Sequence, residues 1–222
     1  MIQFLVKPYL QFATQTSIVV MSETDRPTTM TVEYGKHQPL STTARFDGVK
    51  NLAEVKLDGL EPHTTYFYRV IRADPESGEE ARSDILSFQT AVLDDMPWSF
   101  GVIGDTQRNP AVTRKCAEGI FGLRPNIVVH CGDVVDDGHA KNQWLKDFFE
   151  PMSRLLGHAA IFPVIGNHEN DSHFYYDYFS LPTPEYWYTF TYGNAQFFMI
   201  DTNRPTEPGS PQYRWLEEQL AK

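Results

Sequence analysis

Ile161-Phe162-Pro163-Val164-Ile165-Gly166-Asn167-His168-Glu169 decides how this chain is read. An apolar run of strand character ends in a glycine, and three polar, ligand-capable side chains follow at once. In open α/β sheets, chemistry collects just beyond the carboxyl ends of the strands, which is where Asn167, His168 and Glu169 fall. Two earlier segments end the same way. Residues 98–103 run into Gly104-Asp105-Thr106-Gln107, and residues 127–131 run into Gly132-Asp133-Val134-Val135-Asp136. A lone Gly-Asp is ordinary turn or helix-cap sequence. Three strand ends carrying Asp, Asp and Asn in order form a pattern. Asp105 and Asp133 stand 28 residues apart, and Asp133 and Asn167 stand 34 apart. Each interval is long enough for a crossover helix between parallel strands. Each strand end can then aim one oxygen donor at a shared point.

The segments between these ends support that layout. Asn109-Pro110 starts a helix, with Asn as cap and Pro in the first turn, where the missing N–H costs nothing. Val112, Cys116 and Ile120 recur on one face of that helix, and Arg124-Pro125 ends it. Residues 141–156 form a second helix with Trp144, Leu145, Phe148, Phe149, Met152 and Leu155 on a broad apolar face, and Pro151 kinks or divides it. A strand at 160–165 and an aromatic region at 173–192 follow. Gly193-Asn194 is a two-residue hairpin turn into 195–201, and residues 211–220 are helical. The aromatic stretch 174–192 has two readings, a pocket rim that stacks on an organic group and plain core packing.

Residues 4–90 have another rhythm. Short β-branched and aromatic runs at 16–21, 28–34, 52–57, 65–71 and 84–89 are separated by Asp25-Arg26-Pro27, Asp47-Gly48, Asp58-Gly59 and Ser77-Gly78. This is the pattern of a small all-β sandwich. His37 and His63 lie in turn-like surroundings and read as surface residues. Asp94-Asp95-Met96-Pro97 marks the junction, so the expected domains are 1–93 and 97–222.

Composition bounds the function. The 222 residues carry a formal net charge of −10, which argues against a sequence-independent grip on nucleic acid. Phosphate can still be handled if metal ions supply the positive charge locally. No apolar run is long enough to span a membrane. Cys116 and Cys131 do not form a disulfide framework and are expected to be buried free thiols. The opening six residues lack the basic start and long apolar core of a secretory signal.

Gly-Asp-x, Gly-Asp-x-x-x-Asp and Gly-Asn-His-Glu in this order resemble the calcineurin-like metallophosphoesterases. Leu57 to Val70, with Leu60, Pro62, Thr64 and Tyr66, resembles the corner of a fibronectin type III domain, Tyr66 returning its hydroxyl to nearby backbone. Together with Lys7-Pro8-Tyr9-Leu10-Gln11, these features resemble the purple-acid-phosphatase-like branch. The resemblance implies a fibronectin-like sandwich followed by an α/β phosphoesterase domain, here incomplete. It also implies two metal ions (iron, manganese or zinc) and a phosphate mono- or diester substrate. Asp105 would bind one ion, Asp133 would bridge both, and Asn167 would bind the second. His168 would face the ester and Glu169 would orient that histidine.

The chain departs from the resemblance in three places. Gln107 stands where many relatives have a histidine ligand, and its amide oxygen is a poorer donor. Asp136 stands where the purple enzymes have an iron-binding tyrosine, so no purple charge-transfer band is expected. After His173 there is no histidine, so the later imidazole ligands of the family are missing and the chain reads as a C-terminally truncated portion. An uncovered strand edge and weak metal binding are the corresponding expectations. The rival reading is a non-catalytic binding or adhesion module on a degenerate phosphoesterase fold. Relatives of this layout lean to an extracytoplasmic setting.

Overall fold

Side chains alternate across a strand, and this period of two sorts the apolar residues of the central sheet onto two faces. In the computed structural model, which describes residues 1–221, that sheet contains β1 (Phe4–Gln11), β2 (Ser17–Gly35), β3 (Thr42–Asp58), β4 (Thr65–Ala73), β5 (Glu80–Arg82) and β6 (Leu86–Gln89). It continues into β7 (Phe100–Ile103), β8 (Ile127–His130) and β9 (Ala160–Pro163), and the order along its main path is β5-β4-β2-β1-β9-β8-β7. β7, β8 and β9 are mutually parallel, and β1 joins β9 in parallel through Gln11 and Ile161. Leu10, Ile18, Val20, Ile127, Val129, Ala160 and Phe162 lie on one face, in a core shared with the sandwich residues Met30, Val55, Tyr68 and Phe88. Tyr9, Val19, Val128 and Ile161 lie on the other and meet the helices.

The helices are α1 (Pro110–Gly122), α2 (Lys141–Gln143), α3 (Glu150–Leu156), α4 (His173–Tyr178) and α5 (Pro211–Leu220). Asn109 caps α1 by accepting the Val112 N–H at 3.3 Å, with Pro110 in the first turn. α2 and α3 are joined by the π-helical segment Trp144–Phe149, in which the Glu150 N–H reaches back five residues to the Leu145 carbonyl. Pro151 follows directly, and its missing N–H is tolerated in the first turn of α3. The expected division of this helix thus takes the form of a widened turn. β10 (Tyr188–Tyr192) and β11 (Ala195–Met199) form the hairpin, with Gly193 at φ +52° in its turn. It covers the sandwich-side face through Phe190, which stacks on Phe162 at 3.8 Å.

Three expectations change. β2 runs unbroken through Asp25-Arg26-Pro27, and β3 runs through Asp47-Gly48. The turn-forming residues sit at register shifts of the β2–β3 ladder, around Glu23, Thr28 and Met30. There the fully buried Arg72 donates to the Ser22, Lys50 and Asn51 carbonyls and satisfies backbone the ladder leaves unpaired. α1 turns Thr113 and Ala117 inward, leaving Val112 52% exposed and Cys116 at the surface. Cys131 is also exposed, on the crest beyond β8, so both thiols are free but neither is buried. Among the described residues β7 pairs only with β8, and its Phe100 and Val102 stand exposed.

The tyrosine corner is present. The buried Tyr66 hydroxyl accepts the Glu61 N–H at 3.0 Å, and its ring stacks on Phe88. Tyr66→Phe is expected to lower stability by about 1 kcal/mol, the usual worth of one such bond. An unchanged urea midpoint would remove this bond from the contacts that hold the sandwich. His37 and His63 are exposed, as their turn-like surroundings suggested.

Candidate functional site

The three glycine-terminated strands end side by side, and backbone hydrogen bonds tie the loops beyond them. Cys131 N–H donates to the Ile103 carbonyl and Val164 N–H to the His130 carbonyl, continuing the parallel ladder past the strand ends. Asp105 N–H then reaches the Gly132 carbonyl at 3.2 Å, and Thr106 N–H reaches the Asp133 carbonyl at 3.0 Å. Asp105 and Asp133 both adopt left-handed backbone, at φ +52° and +53°. Non-glycine residues rarely do so, and Asp is among those that tolerate it best. Such strain collects where a side chain must be aimed. Gly166 makes the close approach possible, because a Cβ there would lie 2.2 Å from both the N and Oδ1 of Asp133.

Glu169 does not play the part expected of it. Its side chain is fully buried and its carboxylate is spent on backbone. Oε2 accepts the N–H groups of Gly166 at 2.7 Å and Asp133 at 3.0 Å, while Oε1 accepts those of Val134 at 2.8 Å and Val135 at 3.2 Å. Four donors converge on one carboxylate, so Glu169 shapes the Asp133 loop and does not touch the imidazole. Burial pushes its carboxyl above the ordinary value, and the backbone donors pull against that shift.

The imidazole of His168 is oriented by Asp136 instead. His168 Nδ1 lies 2.8 Å from the Asp136 carbonyl oxygen and 3.3 Å from Oδ1. The carbonyl can only accept, so Nδ1 carries the proton and Nε2 is left for other partners. The same bond is the main cause of an upward shift of the His168 pKa, with the Asp133 and Asp136 charges adding to it. Arg108 holds Asp136 in turn, its Nε 2.6 Å from Oδ1, and keeps that carboxyl below its usual range. His168 N–H donates to Asp133 Oδ1 at 3.1 Å, which locks the second and third motifs together.

His130 was not singled out from sequence, although a histidine inside an apolar strand was a signal. It is fully buried beneath the loops. Gly132 N–H donates to its Nδ1 at 3.2 Å, so the proton sits on Nε2, which donates to Thr106 Oγ1 at 3.1 Å. Thr106 Oγ1 passes its own proton to the Val134 carbonyl at 2.8 Å. The neutral ring thus links the Asp105 loop to the Asp133 loop. Burial holds its pKa down at about 3.

Whether these residues suit metal ions turns on their donors. The Asp105 and Asn167 side chains are exposed and make no hydrogen bond among the described residues, while Asp133 keeps Oδ2 free. Two residues beyond Asp105, Gln107 Oε1 is buried with no hydrogen-bond partner. An acceptor so placed is costly unless a donor or a cation meets it. The set is oxygen-rich and suits hard or borderline cations. It is also sparse. Among the described residues no three His, Cys, Asp or Glu side chains group closely enough to hold a metal ion.

Residues 99–221 match the sequence family described as Calcineurin-like phosphoesterase. The chain is also similar to Purple acid phosphatase 23 of Arabidopsis thaliana, at 24% identity over 79% of this chain and 47% of that protein. It therefore spans about half the length of the curated relative it matches. Among solved structures it is similar to the fibronectin type III domain of human fibronectin type III domain containing protein 3, at 18% identity. That match covers 40% of this chain and 86% of that one, with a TM-score of 0.33. It is similar as well to the FN5 domain of Drosophila Lar, at 22% identity over 38% of this chain and 91% of that one, with a TM-score of 0.29.

Proposed function

The chain belongs to the calcineurin-like phosphoesterase family, and from that premise we propose that it is the site-bearing part of a metal-dependent hydrolase of phosphate mono- or diesters. The observation that carries this reading is the convergence of the Asp105, Asp133 and Asn167 loops at three adjacent parallel strand ends, with His168 fixed beside them. Asp105 and Asp133 hold the ions together with the Asn167 amide oxygen, and the unpaired Gln107 oxygen is a further donor. When bound, the two ions supply the positive charge that activates a water and neutralises the phosphoryl oxygens.

The chain's own residues do the rest. His168, held through Nδ1, presents Nε2 to the ester, and its raised pKa keeps it protonated over a wider pH range. It can therefore give a proton to the departing oxygen, a role worth about 100-fold or more. Asp136 orients that ring, and Glu169 is a positioning residue for Asp133. Asp136 brings no phenolate, which fits a centre without a purple band. The four candidate donors fall short of the four to six ligands that each of two ions takes. The 222 residues alone are therefore expected to bind metal weakly and turn over slowly.

The test is hydrolysis of p-nitrophenyl phosphate with Mn²⁺ in excess, before and after chelation. Metal-dependent turnover that falls about 100-fold in His168→Gln is the expected result. Turnover indifferent to chelation, or equal in the variant, would sink the reading.

A further inference from the structure

The loop bearing Asn167 and His168 forms one wall of a cleft of about 280 Å³. Gly166, Asn167, Asn170 and Asp171 line that wall, and Asn203 and Arg204 line the opposite one. The far wall is firmly built. Asp201, 2% exposed, accepts the Asn203 N–H at 2.9 Å, Asn203 Nδ2 at 3.1 Å and Arg204 Nε at 2.9 Å. Gln212 bonds both the N–H and the carbonyl of Asp201 and ties this loop to α5. Arg204 crosses the cleft to Asp171 Oδ1 at 2.7 Å and lies 3.8 Å from the centre of the Tyr186 ring. Tyr176 also donates its hydroxyl to Asp171.

This construction fixes the chemistry of the space. Its volume lies just under the roughly 300–1,000 Å³ of sites that take drug-sized ligands, so its occupant is small. Two carboxylates, Asp171 and Asp201, face one guanidinium, and both of the Arg204 contacts named are with those carboxylates. The cleft is left with one net negative charge and no other cation among the residues that line it. An anionic group entering would meet uncompensated charge. Hydroxyl groups would meet the side-chain amides of Asn167, Asn170 and Asn203, which both donate and accept.

Resting on the phosphoesterase reading, we infer that this cleft receives the leaving group of the ester. The leaving group it takes is small, uncharged and hydroxyl-bearing, of polyol or sugar type, and one carrying a second phosphate is turned away. Asn167 supplies the continuity, since it belongs both to the candidate metal centre and to the cleft wall.

The test uses the 222-residue chain in Mg²⁺ and follows amide NMR signals during titration with β-glycerophosphate and, separately, fructose bisphosphate. β-Glycerophosphate is expected to shift the side-chain amides of Asn170 and Asn203 along with the backbone signals of Gly166 and Asn167. Fructose bisphosphate is expected to bind about tenfold more weakly. Asp171→Asn removes the excess charge and keeps an acceptor for Arg204, and it should bring the two affinities within about twofold. Shifts at Gly166 and Asn167 without shifts at Asn170 and Asn203, or equal affinities in the unaltered chain, would overturn the inference and leave the phosphoesterase reading standing. No shift at Gly166 or Asn167 with either ester would overturn both. Should Asp171→Asn disturb the loop, the comparison of the two esters on the unaltered chain still decides.

Discussion

Glu169→Ala is expected to destabilise the chain by about 3–5 kcal/mol, more than any other single truncation near the site. The carboxylate accepts four backbone N–H groups, those of Gly166, Asp133, Val134 and Val135. Alanine would leave all four without their partner around a fully buried position. Each orphaned donor costs roughly 1–3 kcal/mol where water cannot reach it. Water entering the emptied space offsets part of that sum. The left-handed turn at Asp133 depends on the same carboxylate, so the loss should extend to the geometry of the metal-binding loop. Urea unfolding of the variant is the direct measurement. A loss below about 1 kcal/mol would mean that the loop keeps its shape without the carboxylate.

Acid should weaken the fold through His130. The ring is neutral when folded, with Gly132 N–H on one nitrogen and Thr106 on the other, and its pKa is pushed down to about 3. The sign follows from proton counting. The unfolded chain takes up a proton near the ordinary value of about 6.5 while the folded chain does not, so stability is full above that value and falls as the pH is lowered toward 3. The slope is about 1.4 kcal/mol per pH unit, and the loss at pH 5 is on the order of 2 kcal/mol. His130→Gln is expected to be less stable than the unaltered chain at pH 7.5 and to lose less on acidification. Unfolding curves at both pH values decide this. A stability difference between the two proteins that stays constant with pH would exclude His130 as the source.

Much of the architecture was legible because it rests on local chemistry. Asn109-Pro110 announces its helix through side-chain capping and a proline at a tolerated position, and both are found. Tyr66 announces its corner five residues from its partner. The three Gly-Asp and Gly-Asn strand ends could be aligned because parallel strands with crossover helices place their carboxyl ends together. What escaped the sequence depends on partners far along the chain. Nothing near Glu169 reveals that its carboxylate will serve backbone 34 to 36 residues earlier. The buried face of α1 was misplaced for a related reason. Thr113 faces inward because its hydroxyl bonds to the Thr106 and Asn109 carbonyls, an anchorage that hydrophobic periodicity does not register. Asp25-Arg26-Pro27 and Asp47-Gly48 carry turn chemistry, yet they sit within strands because Arg72 pairs the backbone that the shifted ladder leaves open.

The pairing of β1 with β9 has a bearing on how the chain is made. Gln11 meets Ile161, so the edge of β1 emerges from the ribosome about 150 residues before its partner. At roughly 5–20 residues per second that interval lasts about 8–30 s. Throughout it, β1 can already pair with β2 on one side while its other side offers unpaired backbone, the kind of edge that invites other chains. The strand carries Lys7 and Pro8 in this stretch, a charge and a missing donor, which are the devices that make such an edge a poor template. The N-terminal half thus spends its first seconds guarding a seam that only the third motif strand can close.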